Sequence, residues 1–166
     1  LGVQHAADRA LERRALSRAD AVIAVTRPIV DDLRERLGLD AQLITNGYDP
    51  DDMPPEPQGP DPLLAADRHS LVHTGRLSLS GISVLPLLDA LRLARGELDG
   101  WLAVVFAGSV TEEERGLLEA ADLDGLVRLV GWLDRDRVLA LQRASDTLLV
   151  VTEGTARRSV ATGKLF

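Results

Sequence analysis

Apolar positions recur along this chain in two alternating patterns, and the alternation predicts its elements. Residues 5–19 are rich in Ala, Leu, Arg and Glu, with Ala7, Leu11 and Ala15 at i, i+4 spacing, which predicts a helix with one inward face. After Asp20 the run Ala21 to Val25 is apolar at every position, the pattern of a short strand buried on both faces. A second helix follows. Pro28 suits its first turn, where an N–H would be unpaired anyway; Ile29, Leu33 and Leu37 line one face, and Gly38 stops it. Gln42 to Thr45 predicts another strand, closed by the Asn46-Gly47 turn.

The pattern then breaks. Positions 49–62 hold six prolines and five acidic residues in fourteen, so the backbone there cannot join a helix or a sheet ladder and is expected to run extended and semi-rigid. This places a domain boundary, with 1–48 before the linker and 63–166 after it. Beyond it strand and helix alternate with regularity. Ser70 to Thr74, Leu102 to Ala107, Leu126 to Val130 and Thr147 to Val151 predict strands. Between them, helices are expected from about Ile82 to Arg95 with Leu85, Leu88 and Leu91 inward, from Thr111 to about Ala121, and from Asp134 to Arg143. Thr111 with Glu114 three residues on is a capping-box signature, and Asp134 reads as a cap among solvated charges. Apolar strands joined by helices in this way predict an α/β fold, a parallel sheet with helices on both faces. Phe166 falls where a helix begins, without cap or polar tail, and Leu1 is as abrupt, so the chain reads as a piece of a longer one.

Composition narrows the function. A formal net charge of −7 with the basic residues dispersed excludes the basic face that a nucleic-acid binder uses to displace counterions. There is no cysteine, which removes disulfides and thiolate metal sites, and His5, His69 and His73 show no ligand spacing. His5 and His69 are expected at the surface, and His73 in the core, bonded to backbone. The absence of a run of 18 apolar residues or of a signal-peptide layout makes the cytoplasm the expected location.

In a parallel sheet of this kind ligands bind beyond the C-terminal strand ends, so the loops there carry the candidate chemistry. The first is Gly75-Arg76-Leu77-Ser78-Leu79-Ser80-Gly81, in which glycine lets backbone approach an anion and Arg76 offers a planar donor fork to a diphosphate. The plain alternative is a tight turn with a solvated arginine. No GxxxxGK or GxGxxG motif is present, which removes the usual support for an ATPase or a dehydrogenase. The second loop is Gly108-Ser109-Val110. The third is Gly131-Trp132-Leu133, whose indole is placed either to pack a base or ribose or to serve as a core or domain-edge residue. The fourth, Thr152-Glu153-Gly154, supplies a carboxylate suited to hydroxyls.

The order of these pieces resembles the GT-B glycosyltransferases of the large retaining family 4, or group 1. The resemblance runs through Ser17-Arg18-Ala19-Asp20 with the strand that follows, Asn46-Gly47-Tyr48-Asp49, His73-Thr74-Gly75-Arg76-Leu77, Val105-Phe106-Ala107-Gly108 and Val130-Gly131-Trp132-Leu133. It continues through Ala144-Ser145-Asp146 to Ala161-Thr162-Gly163-Lys164-Leu165-Phe166.

It implies a Rossmann-like, partial GT-B fold: the end of an acceptor-side domain, then the first part of a donor-binding domain. It also implies transfer of a sugar from a nucleotide-diphosphate sugar to a hydroxyl acceptor, which is a sugar, a lipid-linked or a small molecule. No cofactor and no obligatory metal are implied, and peripheral membrane contact is left to regions outside the chain. By the same resemblance Arg76 binds the donor diphosphate, Gly75 lets the loop approach it, and the main chain at Trp132 and Leu133 faces the base. Thr162, Gly163 and Lys164 offer backbone N–H groups to the distal phosphate.

The chain departs from the family at Ser80, where a lysine is usual, and at Ser159, where the first of two paired glutamates would fall; the second lies past Phe166. No catalytic residue is therefore assigned, and this piece alone is expected to be inactive. A non-catalytic nucleotide-binding or partner-docking module, or a GT-B sugar-nucleotide epimerase, would use the same fold.

Overall fold

The computed structural model of the protein describes residues 2–77 and 84–151. The chain divides at Asp49 and Pro50 into two compact units.

The described part of the first unit contains α1 (Gly2–Leu16), β1 (Ile23–Ala24), α2 (Arg27–Leu37) and β2 (Gln42–Leu43). β1 and β2 pair in parallel, with Ile23 opposite Gln42 and Ala24 opposite Leu43. α2 opens with Pro28 in its first turn and closes on Gly38, whose φ of 68° a side chain would disfavour. Its inner face is Val30, Leu33 and Leu37, which enclose Ala24, with Ile29 only partly buried beside them. Arg36 spans from α2 to α1 through a two-pronged bond to Glu12, at 2.5 and 2.9 Å, and also holds Asp32. The Arg36 guanidinium keeps both carboxyls below the usual carboxylate range.

Two expectations fail here. Leu11 is 69% exposed, so the inward face of α1 is not the one its spacing suggested. The strand at 21–25 is not buried on both faces: Ala24 is covered but Ile23 is 57% exposed, because α2 packs against one side of the two-stranded ladder only.

The second unit is built on β3 (His69–Thr74), β4 (Leu102–Ala107), β5 (Val127–Gly131) and β6 (Thr147–Leu148), with α3 (Leu85–Leu98), α4 (Glu112–Ala120) and α5 (Arg135–Ala144) between them. All pairings are parallel, and the strand order is β5-β4-β3-β6. Period-two alternation along β4 sends Val104 and Phe106 to one face, where they meet Leu88 and Leu91 of α3 and Leu118 of α4. Val105 and Ala107 go to the other, with Val72, against Leu141 of α5. The sheet is therefore covered on both sides, as the uninterrupted apolar strands require.

The caps predicted from sequence are present. Thr111 and Glu114 bond reciprocally at 3.2 and 2.6 Å, and the Asp134 carboxylate accepts from the Arg137 N–H at 2.8 Å. α3 does not stop at Arg95. It continues through Gly96 to Leu98, which packs against the core, and that burial outweighs the roughly 1 kcal/mol that a helical glycine costs. Leu85 is 45% exposed, and Val84 takes the inward place expected for it.

Residues 50–62 follow the proline pattern, with one 3-10 turn at Pro50–Asp52 and no strand or longer helix. They are nonetheless fastened to α5. The Asp61 carboxylate takes both Nη groups of Arg137, at 2.5 and 2.6 Å, and the Leu63 N–H at 2.8 Å. Arg143 pairs with Glu56. Arg137, expected to be a solvated charge, is thus half of an ion pair whose acid is only 8% exposed. The guanidinium beside Asp61 holds its carboxyl below the ordinary range.

Candidate functional site

The order β5-β4-β3-β6 contains one reversal. From β3 the chain steps outward to β4 and β5, and then α5 carries it back to the far side of β3. The C-terminal ends of β3 and β6 therefore flank the topological switch point, the place where open α/β sheets form a ligand crevice. Gly75 and Arg76 leave β3 at this point.

Three strands end on glycine in the left-handed half of backbone space: Gly75 at φ 105°, Gly108 at 150° and Gly131 at 76°. Their main chains are laced together. Gly75 donates its N–H to Ala107 O at 2.7 Å, and Gly108 donates to Gly131 O at 2.8 Å. The lacing is tight enough that a Cβ on Gly108 would lie 2.1 Å from the Gly75 carbonyl oxygen. The N–H groups of Gly75 and Gly108 are thus taken up by neighbouring strands, and what these glycines provide in the structure is close packing of strand ends. Arg76 is exposed, and among the described residues its guanidinium has no hydrogen-bond or ion-pair partner.

Beside Gly131 the pairing of β4 with β5 slips by one residue, since Phe106 faces Leu129 while Ala107 faces Gly131. Such a bulge re-aims the side chains that follow it. Leu133 packs onto the α5 face of the sheet, whereas Trp132 is 75% exposed at the same edge as Arg76 and Ser109. The core role open to Trp132 is thereby removed. Ser80, Glu153, Thr162, Gly163 and Lys164, with Ser159, lie outside the described residues. The structure thus brings Gly75, Arg76, Gly108, Ser109, Trp132 and Leu133 to one edge.

Under that edge Thr74 accepts a 2.6 Å bond from the Gln142 amide of α5, and His73 is 1% exposed with both ring nitrogens on main-chain oxygens. The core reading of His73 is met. A cleft of about 310 Å³ opens elsewhere, between Pro55, Pro57, Pro60 and the Arg137 side of α5. Its charged groups satisfy each other, so it has less to offer a phosphate than the strand-end edge. Among the described residues no cluster of three or more acidic or histidine side chains is suited to hold a metal, and no helix is long and apolar enough to cross a membrane.

A doubly wound parallel sheet covered by helices on both faces is the α/β, Rossmann-like class of fold. Ahead of it, residues 1–52 match the model of Glycosyltransferase Family 4. No curated protein matches the chain. Among solved structures it is similar to sucrose-phosphate synthase from Thermosynechococcus elongatus, with a TM-score of 0.64 and 18% identity over 84% of this chain and 37% of that one. It is also similar to a variant of TarM from S. aureus in complex with Fondaparinux, alpha-GlcNAc-glycerol and UDP, with a TM-score of 0.62 and 14% identity over 82% of this chain and 26% of that one. A third is HepE of Anabaena in complex with UDP and glucose, with a TM-score of 0.58 and 20% identity over 81% and 38%. The fold is that of the matching part of these structures, and the chain spans well under half of their length.

Proposed function

We propose that residues 50–151 belong to the donor lobe of a glycosyltransferase that moves a sugar from a nucleotide-diphosphate sugar to a hydroxyl acceptor. The acceptor is a sugar, a lipid-linked or a small hydroxyl compound. The observation that carries this reading is the unpaired Arg76 guanidinium at the switch point between β3 and β6. As the glycosidic bond to the donor phosphate breaks, negative charge grows on the departing diphosphate. A preorganised donor fork beside it lowers the barrier by stabilising that charge. Because arginine supplies this stabilisation directly, the reaction as proposed has no obligatory metal. Trp132, exposed on the same edge, gives a base or ribose a flat apolar surface. The UDP in the TarM and HepE complexes suggests the first ligands to try.

Isothermal titration of UDP and of GDP into the chain, wild type beside Arg76→Ala, tests the reading. Saturable binding that the substitution abolishes supports it and reports the base preference. Equal binding by both proteins, or by neither, removes Arg76 as the donor contact in this chain.

A further inference from the structure

One buried, hydrogen-bonding group beneath this edge has no part in the reading above. His73 sits in β3 with its ring enclosed, and its nitrogens point in two directions along the switch point. Nδ1 lies 3.0 Å from the carbonyl oxygen of Leu149, just past β6, and Nε2 lies 3.0 Å from the carbonyl oxygen of Arg76, just past β3. The edge of the ring meets Phe106 of β4, with centroids 6.0 Å apart at 67°. Among the described residues no carboxylate pairs with it. A carbonyl oxygen only accepts, so a bond to either one is donated by the tautomer whose N–H stands on that nitrogen, and a neutral ring donates to one of the two.

A histidine that had only to satisfy itself in a core would need one such oxygen, on any element. This ring reaches the two chain segments that flank the crevice, and one of them is the main chain of Arg76 itself. The local backbone makes that contact consequential. Gly75 stands at φ 105° and is held from its N–H side by Ala107 O, and Leu77 is buried. Arg76 between them is an exposed residue, and the described hydrogen bond to its main-chain oxygen comes from His73.

We propose that His73 is a positioning residue: packed between the Leu149 and Arg76 carbonyls, it donates its Nε2–H to the Arg76 oxygen, and so sets the direction in which the Arg76 guanidinium enters the crevice. This deepens the donor-site reading and rests on it for its functional consequence. The tie itself is open to test without any ligand.

Three substitutions separate the contacts. His73→Phe keeps a ring against Phe106 and removes both ring nitrogens. His73→Asn places an amide near Nδ1, within reach of Leu149 O alone. His73→Gln places one near Nε2, within reach of Arg76 O alone. Amide hydrogen exchange and chemical shifts at Arg76 and Leu77, thermal midpoints, and UDP or GDP affinity are measured on each, with Arg76→Ala as control. We expect faster exchange at these amides in His73→Phe and His73→Asn and near wild-type exchange in His73→Gln. Nucleotide affinity should fall about tenfold in the first two, the size of one lost hydrogen bond, and recover in the third. Unchanged exchange at Arg76 and Leu77 in His73→Phe overturns the tie. Affinity that follows thermal midpoint across the three variants, regardless of which contact is kept, reduces His73 to a core residue and overturns the positioning role. If Arg76→Ala binds as wild type does, the donor-site reading fails instead, and the exchange data still decide the tie.

Discussion

The two edges of the four-stranded sheet are made of the same strands and solve opposite problems. At the N-terminal edge polar groups are bound to one another. Asp146, which leads into β6, accepts from the Ser70 N–H and hydroxyl at 2.8 and 2.7 Å and returns its own N–H to that hydroxyl at 2.8 Å. His69, half-buried at the surface, stacks on the exposed Trp101 with centroids 5.3 Å apart and meets the Thr147 hydroxyl. At the C-terminal edge the strands finish on glycine, the side chains in reach are exposed, and Arg76 has no partner among the described residues. One edge sets the β3–β6 register; the other keeps a cation and an aromatic surface available. At the C-terminal edge the support comes from the main chain, through the laced glycines, which leaves the exposed side chains there out of the packing.

The comparison can be broken most severely at Gly108. Gly108→Ala pushes a Cβ into the Gly75 carbonyl at an already positive φ, and we expect a loss of about 4 kcal/mol in urea unfolding of the chain. A loss under about 1 kcal/mol would show that the glycine row is not tightly laced. Next comes Asp61→Ala, which strands Arg137 and the Leu63 N–H. About 2 kcal/mol is expected, read as a lower urea midpoint at unchanged slope. Ser70→Ala removes the hydroxyl that Asp146 engages and should cost about 1 kcal/mol.

Acid gives a gentler probe. The carboxyls of Asp61 and Asp146 are both held below their ordinary value of 3.8, the first by the Arg137 bonds and the second by the Ser70 bonds. Their contributions are complete above that value and are lost as pH falls through the lower folded values, so unfolding below about pH 3.8 should be less acid-sensitive in Asp61→Asn. The smallest effect on stability is expected for Arg76→Ala, within about 0.5 kcal/mol of wild type, because its side chain is exposed and has no partner among the described residues.

Much of this was legible in the residues. The helices from Arg27 and Glu112, with their Pro and Thr-Glu starts, and the apolar run of β4 follow from local chemistry alone. Strand-end loops were readable as the place for a site because β and α alternate. Three things were not legible. Ala21 to Val25 looks doubly buried because an apolar run does not say how many layers will cover it. The fate of the Gly75 and Gly108 N–H groups depends on strand order, and periodicity carries no information about which strand lies beside which. Arg137 and Asp61 are 76 positions apart, and no pattern within either segment announces their pairing. His73 was readable as a core residue, but its two carbonyl partners come from different strand ends and become visible only when β6 lies next to β3.

The proline-rich stretch bears on how this polypeptide should be divided. By composition the cut belongs after Pro62, where the prolines end. Made there, it would deprive Arg137 of Asp61, Arg143 of Glu56 and the Leu63 amide of its acceptor, turning satisfied groups into exposed cations and an open donor. The second unit, prepared on its own for binding work, should therefore keep its prolines and begin at Pro50, since those residues serve as its outer wall as much as its leash.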